Sequence, residues 1–118
     1  LVHNNKYNDK KLTGLIEDMA IKSGKLAFIN QLKATMYRRD RLDEMYKIKA
    51  PTAVIAGEDD KIASLESVQK MAAAIPNAKF FSIPNCGHMV PLEKPEKLSA
   101  IINEIISSIV NHSDILKI

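Results

Sequence analysis

Residues 52–60 read Thr-Ala-Val-Ile-Ala-Gly-Glu-Asp-Asp, an apolar run that stops at a glycine and continues into three acidic residues. The run itself, residues 52–56, is too short for a helix, and a nearly unbroken apolar run of this length is typical of a parallel strand covered on both faces. Gly57 ends the run and lets the backbone turn sharply out of the strand. The stretch therefore predicts a buried parallel strand followed by a loop that carries carboxylates.

The residues after this loop predict a crossover to a second strand. Ser64 is a good N-cap for a helix over residues 65–75, and Pro76 and Asn77 end that helix. Residues 79–83, Lys-Phe-Phe-Ser-Ile, form the second predicted strand. A strand, a helix and a strand in this order make a right-handed crossover between parallel strands. Both loops that follow the strands are therefore expected at the same carboxyl edge of the sheet.

Each of these two loops carries a side chain with catalytic chemistry. Asp60 lies three residues past Gly57, and His88 follows Gly87, five residues after the second strand. A carboxylate that bonds one imidazole nitrogen fixes the tautomer of the ring and stabilises the imidazolium formed when the other nitrogen accepts a proton. Either residue alone is weak evidence, since an aspartate after a strand is commonly a turn residue. Together at one edge, Asp60 and His88 predict the acid and base of a hydrolytic relay.

Helical periodicity is found on both sides of the two strands. Asp9 is a suitable N-cap for a first amphipathic helix, which Gly24 is placed to end, and Ser23 is expected to cap a second helix. Pro95 suits the first turn of a final helix, in which apolar residues recur every three or four positions. The predicted fold class is α/β, with two parallel strands, a crossover helix between them and about four helices in all.

Length and charge narrow the classes of function. A chain of 118 residues is long enough for one compact domain, and no apolar run approaches the roughly 20 residues that span a bilayer. The net charge is +3, and the basic excess falls in residues 1–50, where eleven Lys and Arg stand against six Asp and Glu. Because these charges alternate in sign along polar helix faces, they favour a solvated surface over nucleic-acid binding. We expect a soluble protein with no membrane span and no nucleic-acid partner.

Cys86 is the only cysteine, so the chain has no intramolecular disulfide. A reducing compartment is compatible with this, and we expect a cytoplasmic protein. Cys86 lies two residues before His88, but neighbouring residues on one loop seldom reach the geometry of a nucleophile and its base. We expect Cys86 to be a small packed residue and His3 to be exposed near the chain end. No metal or cofactor is expected, since paired ligand spacing is absent.

The two loops resemble those of the C-terminal half of the α/β-hydrolase superfamily, especially its small esterase, lactonase and C–C hydrolase branches. The likeness extends over residues 28–109, and the motifs that carry it include Gly57-Glu58-Asp59-Asp60, Gly87-His88-Met89 and Leu92-Glu93-Lys94-Pro95-Glu96. It implies that the strands are the last two of the family's sheet, with Asp60 as triad acid and His88 as triad base. Asp59 is the competing acid, but the family's spacing of three residues after the glycine favours Asp60.

The resemblance also implies how the chain is divided. Residues 1–50 would be a helical segment that comprises the end of the cap, the lid over the substrate, and the return to the core. Residues 51–111 would be the C-terminal strand-helix-strand-helix of the hydrolase core, and residues 112–118 a tail. Because two parallel strands leave apolar sheet edges open, further strands would come from a preceding segment, a second copy or a partner.

The family's nucleophile is a serine in a Gly-x-Ser-x-Gly elbow, and this sequence has no such elbow. Its four glycines, Gly14, Gly24, Gly57 and Gly87, do not frame a serine in that spacing. The resemblance therefore implies that the chain is the C-terminal portion of a serine hydrolase acting on an ester, lactone, thioester or related carbonyl substrate. It also implies that the chain by itself is inactive. The alternative is a non-catalytic α/β module that self-associates, or binds a partner, through its open sheet edge.

Overall fold

The computed structural model describes the backbone of residues 1–116 and the side chains of residues 1–111. Within these residues, two strands and five α-helices follow one another, with 3₁₀ turns at Asn4–Lys6 and Leu42–Lys47. In chain order they are α1 (Lys10–Ser23), α2 (Lys25–Met36), β1 (Ala53–Gly57), α3 (Leu65–Ala74), β2 (Lys79–Ile83), α4 (Val90–Glu93) and α5 (Pro95–Leu116). The α/β class is confirmed, and four of these helices are longer than α4, as predicted.

The two strands are parallel and joined by α3, as the crossover pattern predicts. Ala53 lies opposite Lys79 and Gly57 opposite Ile83. β1 begins and ends one residue later than predicted, because Gly57 still pairs with β2 before the chain turns. Just beyond the strand, the amide of Glu58 donates to the carbonyl of Ile83 at 2.9 Å. Both strand ends therefore lie at one edge of the sheet.

Helix boundaries follow the capping signals at two of three predicted positions. The Asp9 carboxylate accepts from the Leu12 amide at 3.1 Å, and the Ser64 hydroxyl accepts from the Ser67 amide at 3.2 Å. The prediction that Ser23 caps the second helix is wrong. Ser23 is the last residue of α1, and the chain turns at Gly24, whose φ of +81° favours a residue without a side chain.

The final helix begins at Pro95, as predicted, and is longer than the sequence pattern indicates. It extends to Leu116 and so includes most of residues 112–118, which were expected to form a tail. Residues 117 and 118 of that tail lie outside the described residues. Among the described residues, none of the helices has both the length and the apolar character needed to cross a bilayer.

The core consists of two small clusters, one on each face of the sheet. Alternate strand residues point to opposite faces, so Val54 and Ile55 belong to different clusters. The α3 side holds buried Val54, Ala72 and Ile75, and the α5 side holds buried Ile83, Cys86 and Val90 with Ile55, Leu98 and Ile101 packed against them. The two helices α3 and α5 thus cover the sheet from opposite faces.

Much apolar surface lies outside these clusters. Large apolar side chains are exposed on α1, α2 and α5; they include Met19, Ile21, Leu26, Phe28, Leu32, Met36, Ile106 and Val110. The radius of gyration is 17.1 Å, whereas a compact domain of this length has about 13–14 Å. In the described part of the chain the sheet has two strands, so each strand has one unpaired edge.

Candidate active site

The loops after β1 and β2 are held together by a close backbone approach. The amide of Asp59 donates to the carbonyl of Cys86 at 3.0 Å. A Cβ added at Gly57 would collide with the carbonyl oxygens of Gly87 and Cys86. Glycine is therefore required at position 57 because the neighbouring loop passes over it, and not because of a positive φ.

Asp60 and His88 are in direct contact across this junction. The Nδ1 atom of His88 lies 2.9 Å from Oδ2 of Asp60. The other oxygen of Asp60, Oδ1, accepts from the amides of Ile62 at 2.8 Å and Ala63 at 3.0 Å. The Asp60 side chain is 7% exposed and that of His88 is 40% exposed. The carboxylate is thus fixed on both oxygens, while the imidazole remains accessible.

The surroundings of Asp60 keep its carboxylate charged. Burial raises its pKa, but the Ala63 and Ile62 amides and the His88 ring stabilise the charged form. The net effect holds the pKa of Asp60 below its ordinary value of 3.8. A charged carboxylate at this position favours a proton on Nδ1 of His88, so that Nε2 can accept a proton from another group. The pair has the arrangement of a general base and the acid that orients it.

Glu93 belongs to this site, although the sequence motif that contains it gave it no role. Its side chain is buried, at 6% exposure, and its carboxylate accepts from three backbone amides. The amides of His3 and Gly87 donate to Oε1 at 2.8 and 3.1 Å, and the amide of Met89 donates to Oε2 at 3.1 Å. The only sequence signal is its place in the motif Leu92-Glu93-Lys94-Pro95-Glu96, which comes shortly after the loop that follows β2, residues 84–89 (the histidine loop).

His3 lies in this site, so the expectation of an exposed terminal histidine is wrong. Its Nε2 atom lies 2.9 Å from Oδ2 of Asp59, and its side chain is 18% exposed. The cause is a long-range contact, because the carbonyl of Leu1 accepts from the amides of His88 at 2.7 Å and Met89 at 3.2 Å. Asp59, the competing acid, therefore faces a different histidine from Asp60.

Cys86 is packed, as expected, and is not an activated thiol. Its side chain is completely buried, and burial together with the negative charge of Glu93 raises the pKa of the thiol to about 11. A thiol with this pKa stays protonated at neutral pH and is a poor nucleophile. Among the described residues, no cluster of three or more His, Cys, Asp or Glu is placed to hold a metal ion.

An open groove of about 450 Å³ runs along the unpaired edge of β1. Asp60 and His88 lie among its lining residues, together with every residue of β1. Most of the remaining lining is apolar and comes from Met45, Ile48, Ala63, Val68, Met71, Ile75 and Val90. The candidate pair is therefore next to the edge of β1 that is unpaired in the described part of the chain.

Comparison with known proteins identifies the family of this chain. The sequence profile of the α/β hydrolase fold matches residues 4–95, which is most of the chain. The chain belongs to the α/β hydrolase fold family. The resemblance seen in the two loops is thereby confirmed, and the matched residues include both Asp60 and His88.

Individual α/β hydrolases match parts of the chain. Monoacylglycerol lipase ABHD6 of Mus musculus is 33% identical over 69 residues, which are 58% of this chain and 20% of the lipase. The chain thus spans about a fifth of the length of the curated relatives it matches. A thermophilic esterase from Thermogutta terrifontis has 35% identity and a TM-score of 0.58 over 61% of this chain and 26% of its own.

A more distant structure shows how far the shared fold extends. The enol-lactonase from Burkholderia xenovorans LB400 has a TM-score of 0.80 and covers 90% of this chain and 40% of its own chain. At 19% identity this likeness concerns the fold alone. The protein described here is thus part of an α/β hydrolase fold, related to esterases and lipases.

Replacing Gly57 by Ala tests the close approach between the two loops. We expect Gly57→Ala to lower the free energy of unfolding by about 1–3 kcal/mol, because the new methyl group displaces the histidine loop. Gly14→Ala is the matched control, since a Cβ at Gly14 in α1 meets nothing within 4 Å. It should stabilise the helix by up to about 1 kcal/mol. Urea denaturation measures both, and equal stability of the two variants would contradict the role of Gly57.

Proposed function

We propose that this chain is the C-terminal portion of a serine hydrolase that acts on ester, lactone, thioester or related carbonyl substrates. In this proposal Asp60 is the triad acid and His88 is the triad base. The observation that carries it is the 2.9 Å contact between His88 Nδ1 and an Asp60 carboxylate whose other oxygen is held by two amides. A base oriented in this way is what acyl transfer by a serine requires.

The roles of the two side chains follow from their protonation states. His88 accepts the proton of a serine hydroxyl through Nε2 as the serine attacks the substrate carbonyl, and Asp60 stabilises the imidazolium that results. His88 then returns the proton to the leaving group. In the second half of the reaction His88 activates the water that hydrolyses the acyl-enzyme.

The nucleophile is proposed to lie in a segment that precedes Leu1 in the complete protein. The sequence lacks a Gly-x-Ser-x-Gly elbow, and the buried, protonated Cys86 does not replace it. Residues 1–50 are helical, with the turn at Leu42–Lys47 leading to β1, which supports their assignment to the end of a cap and the return to the core. The isolated chain is accordingly expected to be inactive.

The proposed substrate class is inferred from the names of the relatives. The mouse relative is a monoacylglycerol lipase and the Thermogutta terrifontis structure is an esterase, so both names point to ester substrates. The choice among esters, lactones and thioesters depends on the cap and on residues outside this chain, because sites and not folds determine specificity.

Substitution of the two neighbouring acids tests the assignment of Asp60. In the complete protein, we expect Asp60→Asn to lower kcat for a p-nitrophenyl ester by about 10⁴, as loss of the orienting acid does in serine hydrolases. Asp59→Asn, the matched control, should leave kcat nearly unchanged because Asp59 contacts His3 and not His88.

Two results would contradict this assignment. One is a larger loss of kcat in Asp59→Asn than in Asp60→Asn. The other is ester turnover by the isolated 118-residue chain that His88→Ala abolishes, since this would place a nucleophile within the chain.

The gene should also encode a Gly-x-Ser-x-Gly elbow within about 150 residues upstream, given the usual size of a domain.

Self-association through the open sheet edge is the second candidate function, and the exposed strand edge of β1 favours it. Successive residues of a strand direct their backbone groups alternately to its two sides. The Thr52 carbonyl and the Glu58 amide bond to β2, so the residue after Thr52, Ala53, directs its amide to the open edge. We expect Ala53→Pro to block strand addition while leaving the fold intact, because proline is tolerated at the first residue of a strand.

Light scattering measures this association. If the edge is used, the unaltered chain is a dimer or larger and Ala53→Pro is a monomer. A strictly monomeric chain that binds no apolar dye would exclude self-association as a function.

A further inference from the structure

The burial of the Glu93 side chain is not explained by its position on the short helix α4. Its carboxylate is buried among backbone groups, and among the described side chains no Lys, Arg or His is within ion-pair distance of it. A buried carboxylate is costly unless hydrogen bonds replace the lost water. The three amides of His3, Gly87 and Met89 supply those bonds. Such charge-assisted bonds are stronger than bonds between neutral groups.

The donors are arranged around the proposed base. Two of them belong to the residues immediately before and after His88, and each bonds a different carboxylate oxygen of Glu93. The amide of His88 itself donates to the carbonyl of Leu1 at 2.7 Å. Three successive amides of the histidine loop are therefore all held by fixed acceptors.

The third donor connects the loop to a remote part of the chain. The His3 amide shares Oε1 of Glu93 with the Gly87 amide, although His3 and Glu93 are separated by 90 positions. A Cβ at Gly87 would lie 2.7 Å from the His3 nitrogen, so the terminal segment packs directly on the loop. Glu93, the last residue of α4, thus joins the histidine loop and residues 1–3 into one unit.

We propose that Glu93 is a positioning residue for His88. By accepting from the amides on both sides of His88, and from His3, it fixes the backbone so that Nδ1 of the imidazole faces Asp60. This inference rests on the proposed role of His88 as the base. Glu93 does not touch the reacting atoms and acts only through the orientation of the ring.

The tautomer of the His88 ring tests this role, because it reports ring orientation and not stability. Spectra of ¹⁵N-histidine-labelled chain at mildly alkaline pH, where imidazole is neutral, distinguish a proton on Nδ1 from one on Nε2. His88→Gln assigns the signals. In the unaltered chain we expect the Nδ1–H form. In Glu93→Gln, which keeps the shape but turns one acceptor into an amide donor, we expect loss of that form to a mixture of both tautomers.

Glu96→Gln is the matched control, since Glu96 is exposed in the first turn of α5. It should retain the Nδ1–H form. If the unaltered chain has its proton on Nε2, the proposed function itself is contradicted. If the unaltered chain and Glu93→Gln both show the Nδ1–H form, only the role of Glu93 is overturned.

Hydrogen exchange on the unaltered chain tests the same contacts without a substitution, and therefore applies even if Glu93→Gln does not fold. The amides of His3, Gly87 and Met89 should exchange slowly, because each is bonded to a buried carboxylate. Exchange of the Gly87 and Met89 amides at the rate of unstructured amides would overturn the proposed positioning.

Discussion

The contact between the ends of two parallel strands is the constraint on which the rest of the site depends. At Gly57 the absence of a side chain lets the carbonyls of Cys86 and Gly87 lie against the end of β1. The Asp59 amide then bonds the Cys86 carbonyl, and one residue later the Asp60 carboxylate meets His88. Moving the loops apart by the width of a methyl group would separate the pair, so strand pairing, glycine and acid–base geometry form one structural unit.

Local sequence signals were sufficient for the part of the structure that is determined locally. The apolar runs specify both strands, the serine and aspartate caps specify helix starts, and the crossover rule places Asp60 and His88 at one edge. The misassigned cap at Ser23 shows a limit of such signals, because Gly24 is the residue that can adopt the required φ of +81°. A hydroxyl next to a glycine does not by itself specify which residue leaves the helix.

The contacts of residues 1–3 with the rest of the site were not predictable from the sequence. His3 pairs with Asp59, and the His3 amide bonds Glu93 across 90 positions, yet neither histidine nor glutamate stands in a periodic or motif pattern that pairs them. These contacts depend on the packing of residues 1–3 against the histidine loop. The open edge of β1 and the exposed apolar side chains of α1 and α2 likewise have no explanation in contacts among the described residues, and the chain covers about a fifth of the length of its relatives.

Labelling of the complete protein with a fluorophosphonate tests most directly whether His88 is the base of a serine hydrolase. The reagent reacts with a serine only when a neighbouring base activates it. We expect a labelled serine in a Gly-x-Ser-x-Gly elbow upstream of Leu1, and loss of that label in a folded His88→Ala variant. Labelling of the same serine to the same extent in His88→Ala would contradict it.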